Sequence, residues 1–307
     1  MKRVTVGLIA VLALLLVVSG VAFADNDLHD ASMLTEADAC AGCHRAHTGE
    51  AAKLLKAGPG QDDFCFSCHD GSAAETNVVD GVLAGSSYGT DGAGLRGGGF
   101  TYALMDLNRD GTTESGNVTS IHTSDGETDG TMWGSGPVNA SEDYGVTVAL
   151  ACGDCHNPHG NGNYRILRGL PNGMEGETPG NEVEVPDVDP KVYEITYTAA
   201  KNRDVSYAPS LLDEWCAQCH TRYNAPGNAG HIDSGDMVFA YRHAIATIGG
   251  KCLACHVAHG TSATMGTYSS AVQYPDSSGD EGSALLWLNN RAVCLTGCHE
   301  GSDLSAD

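Results

Sequence analysis

Cys152-Gly-Asp-Cys155-His156-Asn-Pro-His159-Gly160 is the stretch on which the fold turns. Two thiols three residues apart are followed at once by a histidine, and by another three residues later. The spacing recurs at Cys40-Ala-Gly-Cys43-His44 with His47, and at Cys252-Leu-Ala-Cys255-His256 with His259. Alternating with these are Cys65-Phe-Ser-Cys68-His69, Cys216-Ala-Gln-Cys219-His220 and a copy longer by one residue, Cys294-Leu-Thr-Gly-Cys298-His299, none of which has the extra histidine. All twelve cysteines fall into these six pairs.

A disulfide framework has no use for a histidine after every second cysteine, and neither has a zinc knuckle. C-x-x-C-H attaches a c-type haem: the thiols add to the two vinyl groups and the adjacent histidine becomes an axial ligand of the iron. The pattern predicts six haem c groups, with His44, His69, His156, His220, His256 and His299 as proximal ligands. The insertion at Thr296-Gly297 lengthens the last loop beyond the two residues that attachment ordinarily uses.

Seven histidines remain for the six distal positions: His29, His47, His122, His159, His231, His243 and His259. That near match favours bis-histidine ligation, while no methionine repeats at a fixed offset, so Met33 and Met237 read as packing residues. If CxxCHxxH lies on one helical turn, its two histidines share a face and cannot take opposite sides of one iron. The extra histidine then serves another haem. This logic assigns His47 to the second haem, His159 to the fourth and His259 to the sixth, with His243 on the fifth and His122 on the third. His29 goes to the first haem or to a neighbouring molecule, and the residue left over is His231, in Asn-Ala-Gly-His231, or His29 itself.

The stretches at Cys152–Gly160 and Cys252-Leu-Ala-Cys255-His256-Val-Ala-His259-Gly260 resemble the doubled-CxxCH multihaem cytochromes. That family includes extracellular cytochromes of metal-reducing microbes, some of which polymerise into haem-chain filaments. The resemblance implies a fold organised by stacked haems, mostly irregular coil with short α-helices and few short strands, and a role in long-range electron transfer. It covers the haem-bearing parts of the chain and leaves 71–150 and 160–210 unmatched.

Composition agrees with such a fold. The 307 residues are 41% apolar but only 6% aromatic, with 40 glycines, so side chains alone supply a thin core for this length. Residues 1–24 read as a signal peptide: Lys2 and Arg3 precede an apolar run that ends in small residues. The product is then exported, placed at the cell surface or outside the cell, with the periplasm as the alternative, and has no later stretch long enough to span a membrane. Without Lys2 and Arg3 it carries 14 basic against 39 acidic residues, which excludes nucleic acid as a natural partner and leaves redox proteins, extracellular acceptors or further copies of itself.

The expected organisation is one hexahaem domain, 25–307, in three dihaem modules: haem pairs at 25–73, 120–225 and 231–307, with a Gly-rich insertion at 74–119. Capping boxes at Thr35-Glu-Ala-Asp38 and Ser210-Leu-Leu-Asp213 start helices, Gly160 and Gly260 stop them, and 237–248 and 283–288 are further helix candidates. Residues 100–104 and 193–200 alternate as strands do. Asp106-Leu-Asn108-Arg-Asp110-Gly111-Thr-Thr-Glu114 resembles half a calcium loop, but its twelfth position is Asn117, so calcium and a plain Asx-rich turn both stand. The acidic run 175–189 reads as a solvated loop, and Asn117 and Asn139 head sequons.

The expected function is electron transfer at low potential through six-coordinate irons, since histidine pairs lack the methionine that raises potential. The rival is a multihaem reductase of oxyanions. That chemistry needs one iron with an open face, and no motif replaces its histidine.

Overall fold

The computed structural model describes residues 29, 37–50, 52–83, 94–132, 134–135, 147–171, 182–188, 191–221, 252–266, 282 and 284–295. The expected signal peptide, the helix at 237–248, Met33, Thr35, Asn139, His231, His243, Cys298 and His299 lie outside the described residues.

Six short helices carry the cysteines: α1 (Ala37–Cys43), α2 (Gln61–His69), α3 (Cys152–Cys155), α4 (Leu212–Cys216), α5 (Cys252–Cys255) and α6 (Ala292–Leu295). Helices of one or two turns do not persist on propensity, and here two of them borrow caps from another motif. Gln61, at the start of α2, accepts the Gly153 amide of α3 at 2.6 Å. Asp213 of α4 accepts the Cys252 amide that opens α5 at 2.7 Å. Each bond satisfies an amide that a short helix leaves unpaired and ties consecutive motifs together. The second bond also corrects the capping box expected at Ser210, because α4 begins after Leu211 and the Asp213 carboxylate serves the other helix.

The strands form antiparallel pairs: β1 (Thr76–Asn77) with β2 (Val82–Leu83), β3 (Tyr102–Met105) with β4 (Glu114–Asn117), β5 (Ser120–Ile121) with β8 (Gly260–Thr261), and β6 (Asp125–Thr131) with β7 (Thr147–Ala151). β3 is apolar where β4 is polar, and its Ala103, Leu104 and Met105 are fully buried. Ala103 and Met105 enter a core with Ile195, Val257, Ala263, Trp287 and Leu288, so the segment expected as an insertion supplies central packing to the third module. A second core, of Tyr164, Leu167, Val185, Ala208 and Leu212, lies beside the third and fourth motifs.

Two elements differ from the sequence reading. Residues 193–200 form no strand: Glu194 bridges Leu95 while Tyr197 bridges Arg203, so the alternation serves two separate contacts. Residues 284–288 are not helical, because Ala284 and Leu285 have φ of 51° and 61° and the backbone from Leu285 to Trp287 pairs with the fifth motif instead.

Candidate haem-binding site

The three CxxCHxxH motifs share one local structure. At the third, the helix ends at Cys155 and His156 is already extended, with φ −109° and ψ 144°. The chain then pairs with a segment downstream. His44 bridges Leu55, His156 bridges Leu167 and His256 bridges Leu286. On either side of these bridges, Arg45, Asn157 and Val257 donate to the carbonyls of Leu54, Ile166 and Leu285, while Lys56, Arg168 and Trp287 donate back to Cys43, Cys155 and Cys255. Each receiving segment turns through two residues of positive φ: Lys53 and Leu54, Arg165 and Ile166, Ala284 and Leu285. That turn aims one carbonyl at the proximal ring, so Nδ1 of His44 meets Lys53 O at 2.8 Å, His156 meets Arg165 O at 2.9 Å and His256 meets Ala284 O at 3.0 Å.

A carbonyl can only accept, so Nδ1 carries the proton in all three and Nε2 is left as a metal ligand. The sequence reading missed this cassette. Its trace is Lys53-Leu54-Leu55, Arg165-Ile166-Leu167 and Ala284-Leu285-Leu286, where the leucine at the third position is buried each time.

Four histidine pairs face each other across a gap of nearly constant width. Ring centres are 6.1 Å apart for His44 and His159, 6.2 Å for His29 and His69, 6.4 Å for His122 and His220, and 6.4 Å for His156 and His259. An imidazole–metal bond of about 2.0–2.1 Å plus roughly 1.1 Å to the ring centre, taken twice, gives about 6.2 Å for two rings on one metal. The residues therefore fit an iron held between each pair. Two of the distal rings are oriented as the proximal ones are, with Nδ1 of His29 on Pro158 O at 2.8 Å and Nδ1 of His122 on Ala258 O at 2.6 Å.

The sequence assigned the distal histidines to other motifs than the ones beside which the structure places them. His159 stands beside His44, not the fourth motif; His259 beside His156, not the sixth; His122 beside His220, not the third. His29 stands beside His69, at the second motif and not the first. His47, expected at the second motif, is exposed and away from that pair. The assumption that failed is the helical turn. Once the backbone is extended at His156, the next histidine leaves the motif and reaches a different module.

The thiols follow one another in chain order. Cys43 lies near Cys65 and Cys68, Cys65 is hydrogen-bonded to Cys152, Cys155 is near Cys219, and Cys216 is hydrogen-bonded to Cys252. All eleven described cysteines are free, and burial pushes Cys155 and Cys219 up to about 12 and about 11, so both remain thiols at neutral pH. Burial, then the neighbouring His156, His122 and Arg165, lowers His259 to about 3, which leaves its ring neutral and able to donate a lone pair.

At the candidate calcium loop, Asp106 accepts the amides of Asp110 and Gly111 at 3.0 and 2.9 Å, and Asn108 donates to both Glu114 oxygens. The Lys201 ammonium lies against the Asp110 carbonyl, so a cation of the chain itself already faces this turn.

Residues 33–74 match a family model, the doubled CXXCH motif. The match spans the first two motifs and His47. It supports a multihaem c-type cytochrome, implies covalently bound haem c at these cysteines, and suggests electron transfer as the role. Nothing among curated proteins or solved structures matches the chain. No helix among the described residues is long and apolar enough to cross a membrane.

Proposed function

We propose that this chain is an exported hexahaem cytochrome c that carries electrons over long distance through closely spaced bis-histidine haems, and that it works outside the cell. One observation carries the reading: four histidine pairs with an iron-sized gap, spread over four consecutive motifs whose cysteines neighbour one another in series. When bound, haem c supplies the one-electron iron couple. The chain does the rest. Its thiols would hold each group covalently, backbone carbonyls set the tautomers of the histidines they accept from, and the two imidazoles of each described pair would leave an iron between them no place for another ligand. With no open face, an oxyanion cannot bind and the electron is passed on.

The reading extends to a head-to-tail polymer. Within the chain, the extra histidine of the second module meets the first motif, and that of the third module meets the third motif. The first module's extra histidine, His47, is exposed. A second copy would extend the same register, and a heterologous contact of that kind grows without closing.

Intact mass of the exported protein counts the covalent groups: six are expected, five if the Cys294/Cys298 pair stays bare, and four or fewer sink the reading. Reduced protein should bind almost no carbon monoxide. Rapid binding at one haem would favour a reductase. Loss of filaments in His47→Ala, with filaments kept in His29→Ala, would support the polymer.

A further inference from the structure

Two buried arginines and one half-buried arginine lie between the third and fifth motifs. Arg96 and Arg203 are 6% and 4% exposed, and Arg165 is half-buried against the rings of Tyr164 and Tyr193. None of their hydrogen bonds goes to a carboxylate. Arg96 donates to the carbonyls of Glu194 and Asp204 and to the Thr196 hydroxyl, and Arg165 donates to the Tyr164 hydroxyl and the Val192 carbonyl. Arg203 donates to the carbonyls of His256 and Arg96. The charges oppose one another, Arg165 and Arg203 each acting against Arg96.

Like charges clustered away from solvent and hydrogen-bonded to neutral acceptors are costly to hold. The Asp204 carboxylate offsets part of the Arg96 charge, and three cations against that one anion call for more. All three belong to the segments that hold one ring pair: the Arg165 carbonyl receives Nδ1 of His156, Arg96 precedes the Gly97 whose carbonyl receives the His259 amide, and the Arg203 guanidinium bonds the turn that leads to His259.

Resting on the haem reading above, we infer that Arg96, Arg165 and Arg203 seat the two propionate carboxylates of the haem attached at Cys152 and Cys155, and thereby make it the most easily reduced site of the array. Guanidinium forks match carboxylates geometrically. By compensating the propionates they remove two negative charges from the iron's surroundings, which favours the electron. The modules differ at this register: where the second has Arg165, the first has exposed Lys53 and the third has Ala284.

The test is an EPR-monitored redox titration of fully loaded protein, with intact mass read first, so that a failure of the haem reading shows as missing mass. A unit charge at roughly 10 Å in an effective dielectric of about 20 is worth on the order of a tenfold change in equilibrium. Arg165→Gln should raise the oxidised-to-reduced ratio of one haem about tenfold at fixed potential, about 59 mV downward for a one-electron couple. Arg165→Lys should stay within about twofold, and Arg96→Gln should lower the same haem. Six unchanged midpoints in loaded Arg165→Gln protein would overturn the inference. If the variants fail to load, resonance Raman of the wild type decides: a propionate-bending band shifted by guanidinium contact supports it, and six solvent-like bands overturn it.

Discussion

Gly98→Ala should open the third haem without touching any ligand. Gly98 has φ +74° and bridges Gly260, the residue after His259, while Gly97 O receives the His259 amide at 2.8 Å. A methyl at Gly98 would overlap the Gly260 carbonyl oxygen so far that the two segments must part by more than about 1 Å. Left-handed φ adds about 1–2 kcal/mol for an alanine. A metal–nitrogen bond tolerates only about ±0.2 Å, so moving the His259 backbone by several times that takes its ring off the metal that His156 would hold. The assay is carbon monoxide stoichiometry on reduced protein, where the variant should bind about one equivalent per chain and the wild type close to none. Two glycines calibrate it. Gly162→Ala has φ +76° but nothing within 4 Å, so it should lose only stability. Gly97→Ala would put its methyl 3.0 Å from His259 Nδ1 and should give partial, slower binding. A folded, fully loaded Gly98→Ala protein that ignores carbon monoxide would falsify the pairing of His259 with His156.

Three more outcomes follow from the same geometry. His159→Ala should create one carbon-monoxide-reactive haem, and adding Cys40→Ser and Cys43→Ser should abolish it; persistence would return His159 to the fourth motif, as the sequence alone suggested. Leu55→Ala, at an 8% exposed position, should cost about 2–3 kcal/mol in thermal or denaturant melts. Leu54→Ala next to it, 52% exposed, should stay within about 0.5 kcal/mol. Interplanar angles of 12°, 43°, 44° and 65° should spread the low-spin EPR signals, with His29/His69 the most rhombic and His156/His259 the most axial; four identical signals from these haems would contradict the ring geometry.

The sequence by itself determined the chemistry. A histidine fixed after each cysteine pair is a covalent constraint on which atoms can meet one haem, and it is complete within five residues, so no tertiary knowledge is needed to read it. The count of spare histidines likewise pointed to closed, six-coordinate irons. What only the tertiary structure decided was which spare histidine meets which motif. That choice depends on backbone direction at His44, His156 and His256, and the direction is set by pairing with Leu55, Leu167 and Leu286, as far as 30 residues downstream. It depends too on Gly97 and Gly98 letting β8 approach closely, and on Asp213 and Gln61 capping helices of other motifs. Short segments with little propensity of their own take their conformation from such partners, and spacing along the chain cannot reveal which partner they will find.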